Sequence, residues 1–267
     1  MKTLGLALYG NNNYLNEYCI DEILTQGINL YDEVVFIDGG SIDETMDMIN
    51  IHKDNYLSKN KKFKIYKLPW RDSFRKNMML LTRTAAMSQI ESDYILYMDA
   101  DELLLESQLS KIKSLINLDN DAYSFQTLHF WRDYNHIKDY VDNWYNYRPK
   151  LVKNGLGIWD GYQSWIDKDG NIQRNYTSDL TTWDYKPVYS FAEKSSIITF
   201  HYGWVLSSER ALEKYNSIEL RHHPDGSTKK IEWNWGMESV KEFKANHPEA
   251  IKEKIKRHKE KYSQYYK

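Results

Sequence analysis

The stretch Tyr94-Ile-Leu-Tyr-Met-Asp-Ala-Asp-Glu102 is an apolar run that stops on two aspartates one residue apart. The run reads as a buried strand, and in an extended segment residues i and i+2 point the same way. Asp99 and Asp101 are therefore expected to present their carboxylates together at the strand's C-terminal end. Carboxylate oxygens are hard ligands that suit Mg²⁺ or Mn²⁺, and an ion held there offsets the charge of a phosphorylated substrate. The spacing itself is common in this chain, since Asp119-Asn-Asp121 and Asp167-Lys-Asp169 repeat it. Only the first copy follows a buried-type strand. Its competing reading is local: Glu102-Leu-Leu-Leu-Glu106 looks like the start of a helix that Asp99 or Asp101 would cap.

Upstream, strand and helix patterns alternate. Thr3 to Tyr9 reads as a strand and Tyr14 to Thr25 as a helix with Leu15, Tyr18 and Cys19 inward. A second strand, Glu33 to Ile37, precedes Asp38 and a short helix reaching about Ile51. Phe63 to Leu68 is a third strand, and a long helix lies within 74–90, ahead of the strand at Tyr94 to Met98. Such alternation implies parallel strands with right-handed crossovers, an α/β sandwich. In such sheets ligands collect at the carboxyl ends of the strands, where Tyr9, Asp38 and Asp99 all fall.

Beyond Leu118 the pattern changes. Ala122 to Trp131 and Ile197 to Trp204 alternate like strands, and Glu209 to Tyr215 is helical. The tail from Lys241 to Lys267 reads as a basic helix, with nine Lys/Arg against four Glu giving +5. Such a run is either a solvated helix or a docking element for a membrane surface or partner.

Composition excludes several classes. Aromatics at 15%, with 22 Tyr and 9 Trp, exclude a disordered chain. A net charge of −2 argues against nucleic acid as a partner. The single Cys19 excludes a disulfide framework and a cysteine zinc site, and fits a reducing, cytoplasmic setting. No apolar run approaches the ~20 residues a bilayer span needs, and Leu4 to Tyr9 is too short for a secretory signal.

Two linked motifs carry a family resemblance. Val34-Val-Phe-Ile-Asp-Gly-Gly-Ser-Ile-Asp-Glu-Thr45 resembles the strand-turn segment of family 2 glycosyltransferases with a GT-A fold. Arg83-Thr-Ala-Ala through Met98-Asp-Ala-Asp-Glu102 is similar to that family's Arg helix, strand and metal motif. With Tyr14-Leu-Asn-Glu-Tyr18 the likeness covers about the first 105 residues. It implies that Asp38 binds the nucleotide base, with Tyr9 at the neighbouring strand end. Arg83 would lie near the base or diphosphate, although Thr84 replaces the usual Asn and Arg75-Lys-Asn77 competes for the role. Asp99 would approach the ribose and metal, and Asp101 would ligate Mn²⁺ or Mg²⁺ directly. His201, at a later strand end, resembles the histidine that adds a third metal contact.

Further on, Tyr147 to Lys153 and Ile158 to Ser164 look like the family's segment leading to a His-Glu pair, but Gln163 and Ser164 stand in its place. The general base that takes the acceptor's proton is then sought nearby. Asp160 leads, with Asp167, Asp184 and Glu193 open. Trp131, Trp144, Trp159 and Trp165 are stacking candidates for an acceptor sugar or core residues.

The expected molecule is one GT-A-like catalytic domain over 1–267, Rossmann-related, with a mostly parallel central sheet flanked by helices. Residues 1–118 would bind nucleotide-sugar and metal, 119–240 would form the acceptor half, and 241–267 the basic C-terminal helix. The expected activity is metal-dependent transfer, with inversion, from a UDP-sugar or related donor to a hydroxyl on a glycan, lipid-linked glycan or protein. The basic helix would supply any peripheral membrane contact. The alternatives are a degenerate glycan- or nucleotide-binding scaffold on the same fold, and a sugar-nucleotidyltransferase. The second is disfavoured by Tyr9-Gly-Asn-Asn-Asn-Tyr14, which lacks the basic phosphate loop such enzymes carry.

Overall fold

The computed structural model describes residues 2–10, 18–68, 86–138, 147–155, 164–166, 172–174, 192–222, 233–237 and 240–266. Twelve strands are described: β1 Leu4–Gly10, β2 Glu33–Asp38, β3 Lys62–Lys67, β4 Tyr94–Met98, β5 Glu102–Leu104, β6 Ala122–Trp131, β7 Asp133–Lys138, β8 Tyr147–Lys153, β9 Ser164–Ile166, β10 Ile172–Arg174, β11 Glu193–Trp204 and β12 Val240–Glu242. Five α-helices accompany them: α1 Ile20–Gly27, α2 Thr45–Ser58, α3 Glu106–Leu118, α4 Ser208–His222 and α5 Lys252–Lys261.

One ten-stranded sheet runs β12-β7-β6-β8-β4-β1-β2-β3, with β11 beside β6 and β5 beside β11. Strands β3, β2, β1 and β4 are parallel neighbours. Both faces of β1, β2 and β4 are covered, which is why they read as nearly continuous apolar runs, whereas the edge strand β3 buries only Phe63. Leu6, Leu8, Val34, Phe36 and Leu96 join one core cluster, while Ala7, Val35, Ile37, Ile95 and Tyr97 join another. From β8 onward the pairing is antiparallel, except that β11 lies parallel to β6. The α/β plan therefore holds, with the parallel order concentrated in the first half. β9 and β10 form a separate antiparallel pair.

A buried carboxylate fixes where β4 begins. One oxygen of Glu33, at the start of β2, accepts the backbone N–H groups of Glu91 (2.7 Å) and Ser92 (3.0 Å) and the Ser92 hydroxyl. The other lies 3.0 Å from the Lys64 ammonium. This pins the approach to the strand that carries the Asp-Ala-Asp segment.

Three expectations change. The helix after β2 runs to Ser58, because Thr45, Ile49, His52 and Tyr56 form its inner stripe. Two of these are polar and hide the pattern; His52 bonds Asp21 (2.7 Å) and Tyr56 donates to the Leu24 carbonyl (2.9 Å), joining α2 to α1. Glu102-Leu-Leu104 is a strand, antiparallel to β11, and the helix starts only at Glu106. Asp99 and Asp101 are thus not helix caps.

The tail starts as strand β12 on the β7 edge before it turns helical. Its helix α5 is anchored by Lys254, 2.8 Å from Glu22, and the turn before it by Glu106, which accepts the Glu249 N–H at 3.0 Å. No helix among the described residues is long and apolar enough to cross a membrane.

Candidate active site

The Asp-Ala-Asp segment is a tight turn rather than an extension of β4. The Glu102 N–H donates to the Asp99 carbonyl at 3.1 Å, so the two carboxylates do not project in parallel as the extended reading expected. Two further backbone bonds hold the turn from either side. Cys19 N–H donates to the Ala100 carbonyl (2.5 Å), and Tyr202 N–H to the Asp101 carbonyl (2.8 Å). Both aspartates are buried, and each has its own surroundings.

Asp99 faces a buried charge cluster. Its carboxylate accepts the Tyr97 hydroxyl and lies 3.7 Å from the Lys150 ammonium. Glu102 closes the group: its Oε2 accepts the Asp99 N–H (2.9 Å) and the Lys150 ammonium (2.5 Å). Lys150 reaches in from β8 and lies 4.7 Å over the Tyr97 ring. Burial pushes the Glu102 carboxyl up to about 7; Lys150 pulls against that and Asp99 adds to it.

Asp101 faces the other way, toward β11 and α4. Its Oδ1 lies 3.5 Å from His201 Nε2 and its Oδ2 3.5 Å from Lys214 Nζ. The three groups converge on Gly203. A Cβ there would collide with Asp101 Oδ2 and stand 2.8 Å from Lys214 Nζ and 2.9 Å from His201 Nε2. The glycine keeps open a small cradle lined by one carboxylate, one imidazole and one ammonium.

His201 pairs across the sheet with His129, their Nδ1 atoms 3.1 Å apart. Burial, then Lys214 and Arg148, hold the His201 imidazole well below its usual range, so it is neutral. When His201 is the Nδ1 donor of this pair, its Nε2 offers a lone pair, the second-shell device that orients metal-binding histidines.

The donor set fits a divalent ion only in part. Among the described residues no three ligating side chains form a metal-holding group. Asp101 and His201 together make two ligands, which suits an ion that takes its other oxygens from substrate phosphates and water. Imidazole favours Mn²⁺ over Mg²⁺.

Gly203→Ala tests the cradle. The atoms its methyl group meets are the far ends of side chains, so the melting temperature is expected to stay nearly unchanged. Displacing those ends by about 1 Å is expected to lower donor turnover by about 10²-fold. Thermal melts beside steady-state kinetics decide it; unaltered turnover removes the cradle from the reaction.

The remaining sequence candidates separate clearly. Asp38 ends β2 opposite Gly10 and is buried, and its Oδ1 accepts the N–H groups of Gly40 (3.2 Å) and Ser41 (2.9 Å). One carboxylate oxygen therefore shapes the turn. Tyr9 sits opposite Ile37 and packs against the second core cluster. Arg83, Asp160, Asp167 and Asp184 lie outside the described residues, as do Trp144, Trp159 and the side chain of Trp165. Glu193 is exposed at the end of β11 remote from His201. Trp131 joins Trp204, Trp233 and Trp235 in a ring cluster.

Lys150, Glu102, His129, Gly203 and Lys214 were not legible in advance. Only the pairing of β6, β8 and β11 around the turn brings Lys150, His129 and Gly203 to it, while Glu102 follows the turn directly and gains its role from Lys150.

Residues 8–193 match the family model described as Glycosyl transferase family 2. Among solved structures, S. aureus TarS is similar at 16% identity and a TM-score of 0.40, covering 58% of this chain and 29% of that one. S. aureus TarS 1-349 in complex with UDP matches at 15% identity and a TM-score of 0.40, over 57% of this chain and 46% of that one. The chain thus spans less than half the length of each. No curated protein sequence matches it.

Proposed function

Because the chain belongs to glycosyl transferase family 2, we propose that it moves a sugar from a nucleoside-diphosphate donor to an acceptor hydroxyl at the cradle formed by Asp101, His201 and Lys214. The carrying observation is the convergence of these three groups on Gly203, at the end of the strand that the family motif names. An uncharged substrate would gain little there. A diphosphate brings the negative charge that a cation beside Asp101 needs in order to bridge.

Asp101 and His201 would hold the divalent ion, Mn²⁺ ahead of Mg²⁺. When bound, it acts as a Lewis acid that offsets charge on the departing nucleoside diphosphate. The rest falls to the chain itself. Lys150 and Glu102 keep Asp99 and the turn in place, and the turn fixes Asp101. His129 orients His201. Asp38 and Tyr9, at the neighbouring strand ends, would meet the nucleoside, and Arg83 the diphosphate.

Transfer by direct displacement inverts the anomeric centre and needs a carboxylate base, for which Asp160 is the first candidate. A uridine nucleotide is the expected donor. The acceptor is a hydroxyl of a glycan, a lipid-linked glycan or a protein.

Calorimetric titration with UDP and GDP, each with and without Mn²⁺, tests this reading. The expected result is tight binding of one nucleotide only when Mn²⁺ is present. A folded protein that binds neither nucleotide under any condition overturns it.

A further inference from the structure

Lys214 stands beside the gap between Asp101 and His201 that a cation held by both would enter. Its Nζ donates to the Gly203 carbonyl at 2.6 Å, lies 3.5 Å from Asp101 Oδ2 and rests 5.2 Å over the Trp204 ring. The methyl position that Gly203 leaves empty is 2.8 Å from this ammonium and 2.9 Å from His201 Nε2. A dication bridging Asp101 and His201 would therefore lie against the ammonium. Like charges in contact repel, the more so away from bulk water. The lysine side chain is still 27% exposed, and its four-carbon stem lets the head move while the stem stays packed.

We infer that Lys214 is a built-in placeholder for the metal: its ammonium neutralises Asp101 in the nucleotide-free protein and passes to the donor's diphosphate when the divalent ion enters. This rests on the donor-site reading above and adds to it an order of events. Metal alone must displace the ammonium without compensation and binds weakly. Nucleotide supplies the anion that receives the displaced ammonium, so nucleotide and metal strengthen each other's binding. Lys214 is a positioning residue for Asp101 and a binding residue for the diphosphate.

The two roles predict effects of opposite sign in one variant. In Lys214→Met, Mn²⁺ alone is expected to bind about tenfold more tightly than in the parent, and UDP in the presence of excess Mn²⁺ about tenfold more weakly, within the usual range of coupling between sites. The electron paramagnetic resonance signal of free Mn²⁺ reads the first, and calorimetry the second. Lys214→Arg keeps the charge and is expected to retain most of the UDP affinity.

Mn²⁺ and UDP affinities that both fall in Lys214→Met, or both stay at the parent's values, overturn the inference while the donor site stands. A parent protein that binds no nucleotide with or without Mn²⁺ overturns the donor site and this inference with it.

Discussion

Asp101→Asn is expected to lower transfer by about 10²–10³-fold, the usual loss when one electrostatic group at a developing charge is removed. The change is close to isosteric. The Asp101 backbone carbonyl still accepts the Tyr202 N–H, and Asn keeps a neutral oxygen for His201 or Lys214. What disappears is the charge that holds a cation in the cradle. The loss should therefore appear in metal-dependent nucleotide binding as well as in kcat/KM, with the folded state intact by circular dichroism. A variant that transfers at the parent's rate shows that Asp101 is structural, and one that melts far below the parent shows the same.

Lys150→Met is expected to give the largest loss of stability of any single change near the site. Lys150 is 1% exposed and its partner Glu102 fully buried. Removing one partner of a buried ion pair costs about 3–5 kcal/mol, since the other charge is left uncompensated. For a chain of this size that is a fall of roughly 10 °C in melting temperature.

The loss should depend on pH with a definite sign. Burial already holds the Glu102 carboxyl up at about 7, against the pull of Lys150. A raised carboxyl favours the folded state below its unfolded value near 4.5 and loses that advantage as pH rises through the folded value. Without Lys150 the folded value climbs further. The variant should be closer to the parent at pH 5, where Glu102 is protonated, and furthest from it at pH 8. Lys150→Met with Glu102→Gln is expected to recover most of the loss. Equal destabilisation at both pH values would mean that packing, not charge, is what Lys150 supplies.

Much of the architecture was legible because its signals are local. The buried parallel strands β1, β2 and β4 announce themselves as apolar runs, and β6 by alternation. The second strand's Asp38 and the fourth's Asp-Ala-Asp segment mark the sheet's carboxyl edge. What stayed hidden depends on contacts between residues far apart in sequence. Glu102-Leu-Leu104 has a helix former's composition, and only β11 makes it a strand.

The carboxylates of Asp99 and Asp101 were expected side by side from an extended geometry that the turn replaces. Nothing local distinguishes Lys150 or Lys214 from the chain's other lysines. Each gains its role from the element that carries it inward. Arg83 and Asp160 lie outside the described residues, and their roles rest on the sequence alone.

The hydrogen bond from Tyr202 to the Asp101 carbonyl also bears on how the protein is made. At about 5–20 residues per second, the ribosome releases the Asp-Ala-Asp turn several seconds before it has built the strand that closes it. During that interval the Asp101 carbonyl and the apolar Leu103 and Leu104 have no partner from β11. A gene fragment ending before β11 is therefore expected to leave the edge of β5 unpaired, and to aggregate rather than serve as a nucleotide-binding module.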